Sequence, residues 1–188
     1  MLTNPFARAG DPHMLVVGMT GVKLGERVAQ IGCPHGGRLA AIARKVGLSG
    51  TAVAFVPDDA SAARARKGAA GAGVLVEIQT APPTRVPADD GAFDLVVIDE
   101  TAGLLASVPA DDRAGAVLEA LRILRPGGRV VVIGSVRRGG LGGLLTRAPS
   151  APPFDPEPAF QAGGFRAVRR LAERDGLMFV EGIKPRQG

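Results

Sequence analysis

The chain has 188 residues, 46% of them hydrophobic and 22% charged, proportions that suit one globular domain with a core of useful size. Its net charge of +5 is scattered in short groups such as Arg137-Arg138 and Arg169-Arg170, and it has no Trp or Tyr and only 7 Phe. Without a basic block or aromatic stacking platforms a nucleic-acid partner is not expected, and with Cys33 alone an internal disulfide and an all-cysteine metal cluster are excluded.

Residues 1–25 read as an N-terminal helical extension. Asp11-Pro12 is a helix start, and the apolar segment 13–19 ends near Gly21. A buried strand at 27–31 runs into a turn, GCPHGG, which opens a helix to about Val46. A second strand is predicted at 51–56. Asp58 and Asp59 then cap an alanine-rich helix to about Gly71. Residues 74–79 alternate as a third strand, and 81–91 form a loop rich in Pro and Asp. The run FDLVVI at 93–98 is continuously apolar, as in a strand covered on both faces.

A helix follows at 111–124, with Val117, Leu118, Leu121 and Leu124 on one face, and Pro126-Gly127-Gly128 is expected to end it sharply. The fifth strand is 129–133. Residues 139–158 are a Gly/Pro-rich segment, expected to be flexible, with GGLGGLL at 139–145 as a possible lid hinge. A short helix at 156–162 leads into two antiparallel strands, 165–171 and 177–183, joined through Arg174-Asp175-Gly176. The expected architecture is α/β: a Rossmann-like, doubly wound, mainly parallel seven-stranded sheet with an antiparallel C-terminal hairpin, in one domain. Ligands of such sheets bind where the strands' carboxyl ends meet, so the loops after Ile31, Val56, Gln79 and Ile98 are the ones to inspect.

RVAQIGCPHGG, ARARKGAAGAG, FDLVVID, LRILRPGGRVVVIG and the closing GGFRAVRRLAERDGLMFVEGIKP, in this order, resemble a class I S-adenosylmethionine-dependent methyltransferase over residues 27–184. The resemblance implies S-adenosylmethionine as cofactor. It maps the cofactor site onto Gln30, Gly32, Cys33, Gly36, Val56, Asp58 and Asp99, with Asp99 and His35 as candidate proton acceptors. Asp99 and Glu100 end the fourth strand, where substrate-facing residues of the family occur.

Several of these positions depart from the family's pattern. Gln30 replaces the acid that helps to fix the cofactor's methionyl end, and Pro34 replaces a glycine, locking φ and removing an N–H. Val56 stands where a carboxylate grips the ribose hydroxyls, with Asp58 two residues on. Pro82 stands where an aspartate meets the adenine amino group. A hydrogen bond to a charged group contributes about 1.5–3 kcal/mol, so losing two or three such bonds would turn a micromolar site into a millimolar one.

The expected function is therefore methyltransferase-like, with weak or lost cofactor binding and a non-catalytic role as a partner subunit or binder of another ligand. The alternative is an active methyltransferase for a small molecule. Cys33 reads as buried filler rather than a nucleophile. No metal site is expected, because His13 and His35 lack metal-ligand spacing with Cys33. No segment reaches the ~18 apolar residues that span a bilayer, and no secretory leader is recognisable, so a cytoplasmic protein is expected; homo-oligomer formation is left open.

Overall fold

A computed structural model describes residues 13–136 and 154–186. The helix start at Asp11-Pro12 and the hinge at 139–145 lie outside the described residues, as does most of the Gly/Pro-rich segment.

The first helix, α1 (Met14–Thr20), stops at Gly21, whose φ of 60° is the left-handed turn that glycine adopts without strain. The chain then alternates through β1 (Arg27–Ile31), α2 (Gly36–Val46), β2 (Thr51–Val56), α3 (Asp59–Ala72), β3 (Glu77–Thr80) and β4 (Phe93–Asp99). It continues with α4 (Ala110–Ile123), β5 (Leu124–Ser135), α5 (Pro156–Ala162), β6 (Arg166–Arg174) and β7 (Leu177–Ile183). The sheet order is β3-β2-β1-β4-β5-β7-β6. β1 to β5 pair in parallel, and β7 enters antiparallel between β5 and β6.

Strand burial explains the layers. Leu95, Val97, Val131 and Ile133 point to one face, where Val16 of α1 and Ile42 and Val46 of α2 cover them. Val96, Ile98, Val130 and Val132 point to the other, under Val117, Ala120 and Ile123 of α4 and Phe160 of α5. A smaller cluster of Leu39, Ala54, Val56, Ala62 and Ala65 joins α2, α3 and β2. With both faces buried, β4 has to be apolar from Leu95 to Ile98.

Three boundaries differ from the sequence reading. β3 is shorter than 74–79, because α3 runs on to Ala72 and pairing with β2 starts only at Val53 opposite Glu77. Pro126-Gly127-Gly128 is not a turn between helix and strand: α4 stops at Ile123 and β5 already starts at Leu124 and passes through the three residues, with a register shift against β4 between Phe93 and Leu95. The Gly127 N–H donates to the Lys184 carbonyl at 3.0 Å, and the Lys184 N–H to that of Gly128 at 2.8 Å, so the glycines become part of the ladder. β6 starts after Phe165, whose ring turns into the core 5.0 Å from that of Phe160.

Among the described residues no helix is long and apolar enough to cross a membrane, and no group of three His, Cys, Asp or Glu is placed to hold a metal ion.

Candidate cofactor site

The sheet order reverses between β1 and β4, and a cavity of about 220 Å³ opens there at the strands' carboxyl ends. Gly32 turns the chain out of β1 at φ 80° and donates its N–H to the Phe55 carbonyl at 2.8 Å. A Cβ on Gly32 would stand 2.9 Å from Leu104 Cδ2, so Leu104, from the loop after β4, lies directly over the turn. Pro34 contributes its ring to the wall. The Cys33 carbonyl accepts from Arg64 Nε at 3.2 Å, and Arg64 Nη2 donates to Ser61 Oγ at 2.7 Å. Burial, with the charge of Asp99 second, pushes the Cys33 thiol up to about 11, which keeps it protonated at neutral pH.

Asp99 is completely buried. Arg38 Nη1 lies 2.9 and 2.8 Å from its two oxygens and donates to Thr101 Oγ1 at 2.6 Å. The Thr101 hydroxyl donates in turn to Asp99 Oδ1 at 2.6 Å, and its N–H approaches the same oxygen at 3.2 Å. The candidate proton acceptor is thus one half of a buried ion pair. Glu100 is also spoken for, accepting the N–H groups of Leu105 at 2.6 Å and Ala106 at 2.9 Å and so folding the loop that carries Leu104. Burial holds its carboxyl above the usual range.

The remaining predicted residues divide by position. Gly32, Cys33, Asp58 and Asp99 line the cavity. Gln30 lies beneath it, 1% exposed, with Nε2 donating to the Gly32 carbonyl at 2.9 Å. Its Oε1 is the one buried side-chain polar atom among the described residues without a partner. Val56 is fully buried in the apolar cluster between α2 and α3. Asp58 caps α3, its Oδ1 accepting the Ser61 N–H at 2.6 Å, and that bond holds its carboxyl below the ordinary value. Pro82 is exposed and does not line the cavity.

Gly36 and His35 serve the frame around the cavity. A Cβ on Gly36 would run into the Arg64 carbonyl and Gly68, so Gly36 lets α2 and α3 cross closely. His35 is the exposed N-cap residue of α2, its ring 5.4 Å from that of His13. Arg38, Arg64 and Leu104 escaped the sequence reading. Arginines on helices read as solvated surface, and only the tertiary fold sets Arg38 against Asp99 and brings the exposed Arg64 back to the Cys33 carbonyl. A second cavity, also about 220 Å³, adjoins the first at Gly103; Glu100, Ser135 and Met178 are among its walls.

This strand order, with a glycine turn after β1 and a cavity at the reversal, defines a Rossmann-like methyltransferase fold. Residues 29–132, more than half of the chain, match a family model described as a methyltransferase domain, and the chain belongs to the class I S-adenosylmethionine-dependent methyltransferase superfamily. A SAM-dependent methyltransferase from Aquifex aeolicus matches with a TM-score of 0.70 at 18% identity, over 90% of this chain and 88% of that one. The YcgJ protein from Bacillus subtilis matches at 0.67 and 16%, over 93% and 97%. The [4+2]-cyclase SpnF matches at 0.68 and 18%, over 92% and 79%. At such identities the likeness concerns the fold.

Proposed function

We propose that this chain is a methyltransferase-fold protein with weak or lost S-adenosylmethionine binding, which acts non-catalytically as a partner subunit. One observation carries the reading: Asp99 and Asp58, which line the cavity, and Glu100 beside it each already accept hydrogen bonds from the protein itself. Asp99 is held by Arg38 and Thr101, Glu100 by its own loop, and Asp58 by the first turn of α3. At the ribose position a buried valine packs against its neighbours. A cationic nucleoside therefore meets a rim whose negative charges are neutralised or turned to capping. The 220 Å³ cavity is also below the roughly 300–1,000 Å³ usual for ligand sites. The residues present do not fit the cofactor's grip.

Calorimetric titration of S-adenosylmethionine into the purified protein is the test. The expected dissociation constant is about 1 mM or weaker, and one below about 100 μM would overturn the reading. That second outcome would favour an active small-molecule methyltransferase, for which the adjoining cavity beside Glu100 and Ser135 offers room for an acceptor.

A further inference from the structure

Among the described residues few large apolar side chains are left in water, and three of them repeat one position in the fold. Leu24, Leu48 and Leu75 are 71%, 90% and 80% exposed. They sit in the loops before β1, β2 and β3, at the amino ends of the parallel strands and opposite the candidate cofactor site. The loops form one surface. A Cβ on Gly47 would stand 2.7 Å from Leu24 Cδ1, so Leu24 reaches the loop of Leu48. A groove of about 550 Å³ runs between Leu48 and Leu75, floored by Ala43, Val46 and Ala52.

Cations outnumber anions around this surface. Arg44 lines the groove, and with Lys23 and Lys45 it also lines a second cavity, against α1, that meets the groove at Arg44; all three are exposed and without an ion pair among the described residues. The groove's carboxylate, Glu77, stands on the β3 wall, with Oε1 accepting from Gln79. Exposed apolar surface rimmed by charge marks a docking face.

We propose that this face binds the leucine-bearing ridge of an amphipathic helix from a partner protein, with acidic residues along the flank that meets Lys23, Arg44 and Lys45. A concave groove between protruding leucines receives a helix ridge, whereas a planar lipid interface would leave it unfilled. A second copy would set these cations against themselves. In naming a partner the inference rests on the partner-subunit reading above, but its readout is separate from cofactor binding.

The probe is a fluorescein-labelled helical peptide of about 18 residues, with leucines on one face and glutamates on its flank, compared with a counterpart carrying lysines for glutamates. Anisotropy should show the acidic peptide binding at least about tenfold more tightly, with affinity falling as salt rises. The Leu48→Ser/Leu75→Ser variant should weaken that binding by about tenfold, while Leu118→Ser, another exposed leucine on α4, should leave it unchanged. Equal affinity for the two peptides, or indifference to the paired leucine change, would overturn the proposal. So would sedimentation with phosphatidylserine vesicles, or self-dimerisation in analytical ultracentrifugation, that the same variant abolishes. Because the changed leucines are exposed, the variant should keep the parent's circular dichroism and cofactor titration, which separates failure of docking from failure of the non-catalytic reading.

Discussion

Asp99 occupies the position at which the end of β4 was expected to offer a proton acceptor, yet Arg38 and Thr101 surround both of its oxygens. Removing one partner of a buried pair leaves a charge without solvent or counterion, which typically costs about 3 kcal/mol. Arg38→Met should therefore lower the urea-unfolding free energy by about that amount, and adding Asp99→Asn should recover part of it. A loss under about 1 kcal/mol in the single variant would mean that the pair is not structurally important. Cys33 makes a separate prediction. With its pKa raised from 9.0 to about 11, its thiolate fraction at pH 8 is about a hundredfold lower than in the unfolded chain. Since a thiolate of higher pKa is also the stronger nucleophile, alkylation of the native protein should be slower by about tenfold or more; equal rates with and without urea would place the thiol in solvent.

Between elements, the α2–α3 crossing and the amino-terminal edge of the sheet depend on a few contacts. A Cβ on Gly68 would meet the Gly36 backbone, so Gly68→Ala should push the helices apart and cost about 1–3 kcal/mol, read as a lowered melting temperature. Asp94 joins β1 to the start of β5, accepting the Arg27 N–H at 2.8 Å and Arg125 Nε at 2.5 Å. Burial works to raise its pKa, but these bonds outweigh it and hold the carboxyl below 3.8. Glu119 is held below 4.5, chiefly by Arg122 and, against burial, by the Val86 N–H. Both lowered values mean that the unfolded chain takes up protons first. Their stabilisation is full above the ordinary carboxylate range and is lost as pH falls through it. Glu100 has the opposite sign: its raised pKa makes its contribution fall as pH rises above 4.5. Glu119→Gln should flatten the acid limb of a stability–pH curve, and an unchanged limb would remove the Arg122 pair as its cause.

At the scale of the whole molecule, the triple change Gln30→Asp, Pro34→Gly and Val56→Asp tests whether the site was eroded one residue at a time. If so, S-adenosylmethionine should bind the variant at least about tenfold more tightly than the parent, provided that circular dichroism shows it folded. Unchanged affinity would point instead to Leu104 over Gly32 and to the neutralised Asp99, features that no single motif position encodes. The sheet was legible from sequence because its signals are local. The apolar run of β4, the Asp58 cap and the glycine stops follow from periodicity and backbone freedom within a few residues. Pro126-Gly127-Gly128 misled because its glycines bond to Lys184, a partner remote in sequence. The chain alone determined the order of elements and the family likeness. Tertiary structure alone decided that Arg38 claims Asp99, that Gly36 serves a helix crossing, and that Leu24, Leu48 and Leu75 share one face. The reason is range: periodicity acts over neighbouring residues, whereas ion pairs, close approaches and surfaces join positions that only folding brings together.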